Sequence, residues 1–483
     1  MNAALIINNV HMQSSDGAHF ERRNPAGSAV VTIAAAGTVT DANKAVESAA
    51  RAFSSWSQTS PVERRRILLA AADCLEAKME TISTTMAAEI GASAMWSALN
   101  VSLAAQLFRE AAGLTTQVTG ETIPSNRPGV LSMTIRQPVG VVLSIAPWNG
   151  PIFLGARAIA YPIACGNTVV FRGSELSPAT HSLLVEAFLE GGLPPGVLNL
   201  VFNAPAAAPD VIDALVNHPA VRRVNFTGST RVGRIIAEKA GRALKRCLLE
   251  LGGKAPLVVL DDADISAAVN ASIFGSFMYQ GQICMTTERI VVDETVADKF
   301  VEMFAQRASA LSVGDPTADP SIVVGPVIDA RSGSRINELI RDAVAKGAVL
   351  VAGGYAEGAV QLPTILDRCA PDMAIYDEET FGPVTIVVRV RGVEEAVRVA
   401  NDTQYGLAAA VFGKDAYRAF QVASRIEAGS VHVNGPTVQN EPQAPYGGMK
   451  ASGFGKFDGR AVIDEFTELK WLTIEAPEQG YPI

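Results

Sequence analysis

From residue 140 onward the chain repeats one unit: a short apolar run, a turn, a stretch of helical periodicity, then another apolar run. The first set of runs covers residues 140–145, 168–171, 197–202, 221–226 and 247–251. Each is short and apolar throughout rather than alternating, which predicts a strand buried on both faces. Helical patterns separate them; one opens at Ser177-Pro178 and ends at Gly191-Gly192. Strands spaced by helices require crossover connections. The prediction is therefore an α/β fold with a doubly wound parallel sheet. A second set at 256–260, 289–292, 348–352, 385–390, 409–412 and 430–433 predicts a second such sheet, with the boundary near 251–254.

Upstream, residues 1–39 read as short strands and turns punctuated by Asn24-Pro25-Ala26-Gly27. Thr40 precedes a helix with Ala42, Val46, Ala49 and Phe53 on one face. Ser60-Pro61-Val62-Glu63 starts another, with Ser60 as cap and Glu63 able to close a capping box, running to Lys78. Further helix is expected through 87–106, a loop at 120–128, and strands at 130–136, ended by Pro138, and at 468–474. At 483 residues there is room for roughly three domains of ~150 residues.

The formal net charge of −9 is spread without acidic or basic blocks, which argues against nucleic acid as partner. No apolar run approaches membrane-spanning length, and the first ten residues lack the pattern of a signal peptide. The five cysteines are far apart, with no C-x-x-C, so neither a disulfide framework nor a structural zinc site is expected. No metal is expected, and the chain reads as cytoplasmic.

Chemistry concentrates in a few places. Cys284 lies in the polar loop Tyr279-Gln280-Gly281-Gln282-Ile283-Cys284-Met285-Thr286-Thr287, just after a glycine and just before a strand, where a nucleophile can be presented to a cleft. Glu250 ends an apolar strand beside Gly252-Gly253; burial there would raise its pKa toward that of a general base. Asn149 follows Pro147-Trp148 at a strand end, where its amide could donate to an oxyanion. No G-x-G-x-x-G follows the 140–145 strand, and Gly453-Phe454-Gly455 reads as a loop. Instead, Phe226-Thr227-Gly228-Ser229-Thr230-Arg231-Val232-Gly233 closes a strand and opens a helix, where N–H groups could meet a phosphate. Glu175, after Phe171-Arg172-Gly173-Ser174, could bind ribose hydroxyls. Each feature alone also has a plain structural meaning: a core thiol, a capped glycine turn, a solvated loop charge, an outward carboxylate, an asparagine in a turn.

In combination the chain resembles the aldehyde dehydrogenase superfamily over essentially its whole length. The resemblance rests on Pro147-Trp148-Asn149, the 226–233 turn and Glu250-Leu251-Gly252-Gly253-Lys254. Gly281-Gln282-Ile283-Cys284, Glu379-Thr380-Phe381-Gly382-Pro383-Val384 and Ser452-Gly453-Phe454-Gly455 follow in order. Within the superfamily it is most similar to the bacterial enzymes for aromatic aldehydes. The resemblance implies a cofactor domain (1–123 and 141–249), a catalytic domain (250–434) and a small bridging sheet (124–140 and 464–483). Residues 435–463 return to the cofactor side. It implies Cys284 as nucleophile, Glu250 as general base and Asn149 as oxyanion donor. Ile145, Ala146, Pro147, Trp148, Arg172, Glu175, Phe226, Gly228, Ser229, Val232, Leu251, Glu379 and Phe381 would contact the cofactor. Trp96, Gly150, Leu154, Ile283, Met285 and Tyr446 would line the substrate tunnel.

Three departures from the family pattern stand out. Arg172 replaces a usual Lys; Glu175 nearby favours NAD over NADP. Gly150 replaces a frequent Phe, which would widen the tunnel. Ala204-Pro205-Ala206-Ala207-Ala208-Pro209 replaces a glycine-containing stretch on the adenine side. The implied activity is NAD-dependent oxidation of a small, salicylaldehyde-like aromatic aldehyde to its acid in a homodimer or tetramer. The alternatives are an enzyme that passes the acyl group to coenzyme A, disfavoured by Glu250, and a non-catalytic structural or nucleotide-binding relative.

Overall fold

A computed structural model of the protein describes residues 1–27, 29–478 and Tyr481. Its first sheet has eight strands. In spatial order these are Gly453–Phe454, Arg246–Glu250, Val221–Thr227, Val141–Ile145, Thr168–Arg172, Leu198–Val201, Leu5–Ile7 and Val10–Met12. The five from Arg246–Glu250 to Leu198–Val201 are parallel. The chain order reverses at Val141–Ile145, which lies between the next strand in sequence and a much later one. Such a reversal opens a crevice at the carboxyl ends of the two strands, where ligands bind in open α/β sheets. Here the crevice lies between Ile145 and Thr227.

The continuous apolar strands follow from cover on both faces. Val141, Leu143 and Ile145 join one core with Ala42, Val46 and Ala49 of the helix Val39–Trp56. The intervening Val142 points the other way, into a core shared with Ile152 and Ile159 of the helix Pro151–Ala164.

The second sheet has seven strands, ordered Val349–Ala352, Thr364–Asp367, Val384–Val390, Thr287–Asp293, Ala255–Val259, Ala408–Phe412 and Ser430–Val433. Only the pairing of Val349–Ala352 with Thr364–Asp367 is antiparallel. Thr364–Asp367, four residues between Pro363 and Arg368, is too short to stand out in the sequence. A separate ribbon pairs Leu131–Pro138 with Thr467–Ile474 along their full length. Leu131, Leu469, Trp471, Leu472 and Ile474 on it are exposed. Residues 479–480 and 482–483 of the expected bridging segment lie outside the described residues.

Four local expectations are corrected. The helix expected after Thr40 is capped instead by Thr38, in a reciprocal box with Asp41. Ser60 does cap the next helix, but Glu63 turns to Arg66 rather than back to the cap. The expected continuous helix at 87–106 breaks at Gly91, whose φ of 66° ends the helix Met79–Ile90; Ser93 then caps the helix Ala94–Leu114. Gly453–Phe454, expected as loop, is an edge strand against Leu249 and Glu250. No helix among the described residues is long and apolar enough to cross a membrane.

Candidate active site

The cysteine loop leaves the helix Ile265–Phe277 through a strained turn. Tyr279, Gln280 and Gly281 have φ of 48°, 51° and 67°. Left-handed backbone at a non-glycine residue costs on the order of 1–3 kcal/mol and persists only where surrounding contacts hold it. Here the Tyr279 hydroxyl donates to Ile90 O, and Gln280 Nε2 donates to Gly91 O and Pro326 O. Gln282 Oε1 accepts from Ile328 N. Gly281 is required by space as well, since a Cβ there would lie 2.1 Å from Gly382 O. The turn brings Cys284 to the strand Thr287–Asp293 with its residue partly exposed.

Glu250 ends its strand 1 % exposed. Its Oε1 accepts from the Tyr446 hydroxyl at 3.2 Å, and the same hydroxyl lies 3.4 Å from Cys284 Sγ. Asn149, also buried, donates from Nδ2 to Gln282 O at 2.9 Å, which aims the amide at the cysteine loop. Its own carbonyl accepts from Trp96 Nε1. Burial pushes the Glu250 carboxyl up; hydrogen bonding from Cys284, the Arg157 charge and the Tyr446 hydrogen bond only partly offset it. Burial, and then the Glu250 charge, push the Cys284 thiol well above its ordinary value. Burial thus disfavours the charged form of both groups.

Two cavities meet at the sulfur. The first, about 330 Å³, opens at the switch point of the first sheet, with Pro147, Trp148, Gly228, Ser229, Glu379 and Phe381 in its wall. Leu251 also lines it. The second, about 210 Å³, is walled by Trp96, Gly150, Ile283, Met285 and Tyr446. Asn149, Leu154 and Cys284 line both.

The sequence model of the aldehyde dehydrogenase family matches residues 11–472. The chain belongs to the aldehyde dehydrogenase family. Salicylaldehyde dehydrogenases of Pseudomonas sp. strain C18 and Pseudomonas putida are each 58% identical to it over 482 residues, covering 100% of both chains. A vanillin dehydrogenase of Pseudomonas fluorescens is 52% identical over 483 residues, again covering 100% of both. The crystal structure of a salicylaldehyde dehydrogenase from Pseudomonas putida G7 complexed with salicylaldehyde matches with a TM-score of 0.99, covering 100% of both chains at 58% identity. This aldehyde dehydrogenase is accordingly an aldehyde-oxidising enzyme that uses a nicotinamide dinucleotide.

The first cavity of this aldehyde dehydrogenase fits such a cofactor. Ser229 caps the helix Thr230–Arg242 by accepting from Val232 N, so the positive end of that helix faces the cavity. Gly252 leaves room for Glu379, whose Oε2 would lie 2.4 Å from a Cβ there. Glu379 accepts from Gly253 N, and burial followed by the nearby Glu288 charge pushes it up to about 8. Behind it, buried Lys254 pairs with Glu288 at 2.7 Å, and Glu288 accepts from Thr380 N and Phe381 N, which pins the 379–381 loop.

Not every expected cofactor residue reaches that wall. Ile145, Ala146 and Phe226 are buried at the strand ends beside it, and Val232 lies in the first turn of the helix. Arg172 and Glu175 pair with each other at 2.7 Å, and Arg172 Nε donates to Asn203 Oδ1. Thr227, Gly252 and Arg335 line the cavity in addition to the expected set. Arg335 donates to Glu379 O and Thr380 O, a contact between distant segments that leaves no local signature.

All six expected tunnel residues line the second cavity, and Phe153 and Arg157 join them. Both are legible in principle. The helix Pro151–Ala164 is buried throughout and carries one charge, Arg157. Phe153 and Leu154 lie four and three residues before it, on the same helical face.

Proposed function

We propose that this aldehyde dehydrogenase oxidises a small, salicylaldehyde-like aromatic aldehyde to its carboxylic acid with NAD, through a thioester on Cys284. The observation that carries the reading is that Cys284, with Asn149 beside it, belongs to the walls of both cavities. One cavity has the glycines and helix terminus that suit a dinucleotide. The other is small, apolar and aromatic: Trp96 stacks on Tyr279 at 5.0 Å, and Phe153 and Leu154 share its wall with Ile283 and Met285. At about 210 Å³ it falls below the ~300–1,000 Å³ usual for ligand pockets, which suits a single ring. Proteins of like sequence named for salicylaldehyde and vanillin support the same class.

In the mechanism the Cys284 thiol loses its proton and the sulfur attacks the aldehyde carbon. The Asn149 amide and the Cys284 backbone N–H stabilise the oxyanion. A bound NAD would supply the hydride acceptor. Pro147, Trp148, Gly228, Ser229, Leu251, Glu379 and Phe381 would hold it, while Glu250 deprotonates the water that releases the acid. The presence of this buried base favours hydrolysis over transfer to coenzyme A. Arg172 is already neutralised by Glu175, which supports NAD over NADP. The cofactor and catalytic units are assigned to 1–123 with 141–249 and to 250–434. The exposed apolar ribbon of 131–138 and 467–474 supports a homodimer or tetramer.

The test is NADH formation with salicylaldehyde, benzaldehyde and vanillin against aliphatic aldehydes, each with NAD and NADP and with coenzyme A added. Aromatic kcat/KM at least tenfold above aliphatic, with free acid as product, is expected. Preference for an aliphatic aldehyde, or an acyl-CoA product, would overturn the assignment.

A further inference from the structure

The Tyr446 hydroxyl touches both the nucleophile and the carboxylate, 3.4 Å from Cys284 Sγ and 3.2 Å from Glu250 Oε1. It donates to Glu250. Either atom could donate in the contact with the sulfur; with the phenol proton on Glu250, the thiol is the donor there. The two hydrogen bonds run in one direction, from S–H to phenol oxygen and from phenol O–H to carboxylate. We propose that Tyr446 is a proton relay that carries the Cys284 thiol proton to Glu250 and returns a proton to the sulfur at the end of turnover. The proposal rests on Cys284 as nucleophile and Glu250 as base.

The phenol is held in place from two sides. Its backbone exchanges 2.8 Å hydrogen bonds with Phe457 in both directions. The Arg157 guanidinium sits 4.5 Å from the ring centroid and is itself clamped by Asp458 at 2.7 and 3.2 Å. The titratable groups facing the relay are Cys284, Glu250 and Arg157, with Asp458 behind Arg157. Burial, reinforced by the Cys284 and Glu250 charges, raises the phenol well above its ordinary value.

In the proposed transfer both protons move along the two hydrogen bonds in series. The S–H bond breaks as a new phenol O–H forms, and the original phenol O–H breaks as a carboxylic O–H forms on Glu250. The products are a thiolate, a neutral phenol and a neutral carboxylic acid, with no net change of charge in the site. Glu250 releases that proton to solvent before it acts on water. In hydrolysis the water proton passes to Glu250 and the hydroxide oxygen bonds the thioester carbon. The C–S bond breaks, and the proton returns through Tyr446 to the sulfur. The sum is one aldehyde, one NAD and one water giving one carboxylic acid, one NADH and one proton. Glu250 Oε1 is the oxygen that faces Tyr446, so the proton returned to the sulfur leaves from Oε1.

Glu250 also faces the sulfur directly, so a transfer that bypasses Tyr446 is the competing route. The experiment is the pH dependence of iodoacetamide alkylation of Cys284, followed by peptide mass spectrometry on the full-length enzyme with and without NAD. After the transfer the newly formed phenol O–H donates to the thiolate, and Tyr446→Phe removes that donor. Its rising limb should move up by about one pH unit, an alkylation rate about tenfold lower on that limb. The pH dependence of the NADH burst should move with it. Site-specific 3-fluorotyrosine at 446, a stronger donor of nearly the same shape, should move the limb down. Opposite displacements would not arise from a packing defect. If neither replacement moves the limb while the wild-type enzyme turns over through Cys284, the relay is overturned and direct transfer stands. If Tyr446→Phe does not fold, the fluorotyrosine enzyme decides alone. A wild-type enzyme with no Cys284-dependent turnover would instead reject the reading beneath the proposal.

Discussion

Asn149 donates its side-chain amide to the backbone carbonyl of Gln282 at 2.9 Å, two residues before Cys284. One amide hydrogen thus holds the 147–149 loop to the cysteine loop and fixes the direction of the other. Asn149→Ala should lower kcat by about 10²–10³, the usual effect of losing an oxyanion donor, with little change in the KM for NAD. Steady-state kinetics with both substrates varied would show it. A kcat within threefold of wild type would remove Asn149 from oxyanion stabilisation.

Cys284→Ala should abolish turnover while NAD still binds, as judged by calorimetry. Glu250→Gln should slow thioester hydrolysis more than hydride transfer: stopped flow should show a burst of NADH, itself slowed because the thiol loses its proton acceptor, followed by still slower turnover. The pH sign follows from burial, which raises the Glu250 carboxyl. The base form then prevails only above the ordinary carboxylate range, so thioester hydrolysis should rise with pH through that higher window. In Glu250→Gln this rise should vanish. Its persistence would point to a different base.

Much of this site is legible in the sequence because the chemistry sits at strand ends. Ile145, Thr227 and Glu250 end short apolar runs, and residues just past such runs meet at one edge of a parallel sheet. The two sheets are legible for the same reason: strands covered on both faces carry an unbroken apolar signal. Arg335 and the Arg157–Asp458 pair are hidden because they depend on residues 44–45 and 301 positions apart. The break at Gly91 is hidden because apolar periodicity continues across it, whereas the φ of 66° is dictated by the turn. Gly453–Phe454 escapes because a two-residue edge strand has no period of its own.

The Arg172–Glu175 pair sets a testable limit on cofactor choice. Glu175 occupies the guanidinium at 2.7 Å. Glu175→Gln should release it to pair with a 2′-phosphate. A charge-assisted hydrogen bond contributes about 1.5–3 kcal/mol, so the NADP/NAD ratio of kcat/KM should rise about tenfold or more. An unchanged ratio would place the ribose recognition elsewhere.

Gly150 begins the helix that lines the second cavity, and a Cβ there would make only ordinary contacts with Asn100 and Leu154 at 3.4 Å. A small substitution is tolerated by this geometry, but a phenyl group would project into the 210 Å³ cavity. Gly150→Phe should lower kcat/KM for salicylaldehyde at least tenfold and leave acetaldehyde turnover nearly unchanged. Equal losses on both substrates would mean that the backbone, rather than the cavity, had been disturbed.

The charge beneath the cavity carries a stability prediction. Arg157 and Asp458 form an ion pair with side-chain exposures of 2% and 0%. Removing one partner strands the other charge in the interior, a change that costs about 3–5 kcal/mol, so Asp458→Ala should lower the denaturant midpoint markedly. Replacing both charges by apolar groups of similar size does not strand a charge, and Asp458→Leu with Arg157→Met should recover most of that stability. Activity should part from stability in the double variant. The ring of Tyr446 would lose the guanidinium 4.5 Å from its centroid, and Glu250 would lose the cation that favours its charged form. The double variant should therefore fold but show slow thioester hydrolysis, measured as a burst followed by reduced turnover. Recovery of full activity along with stability would mean that the pair serves packing alone.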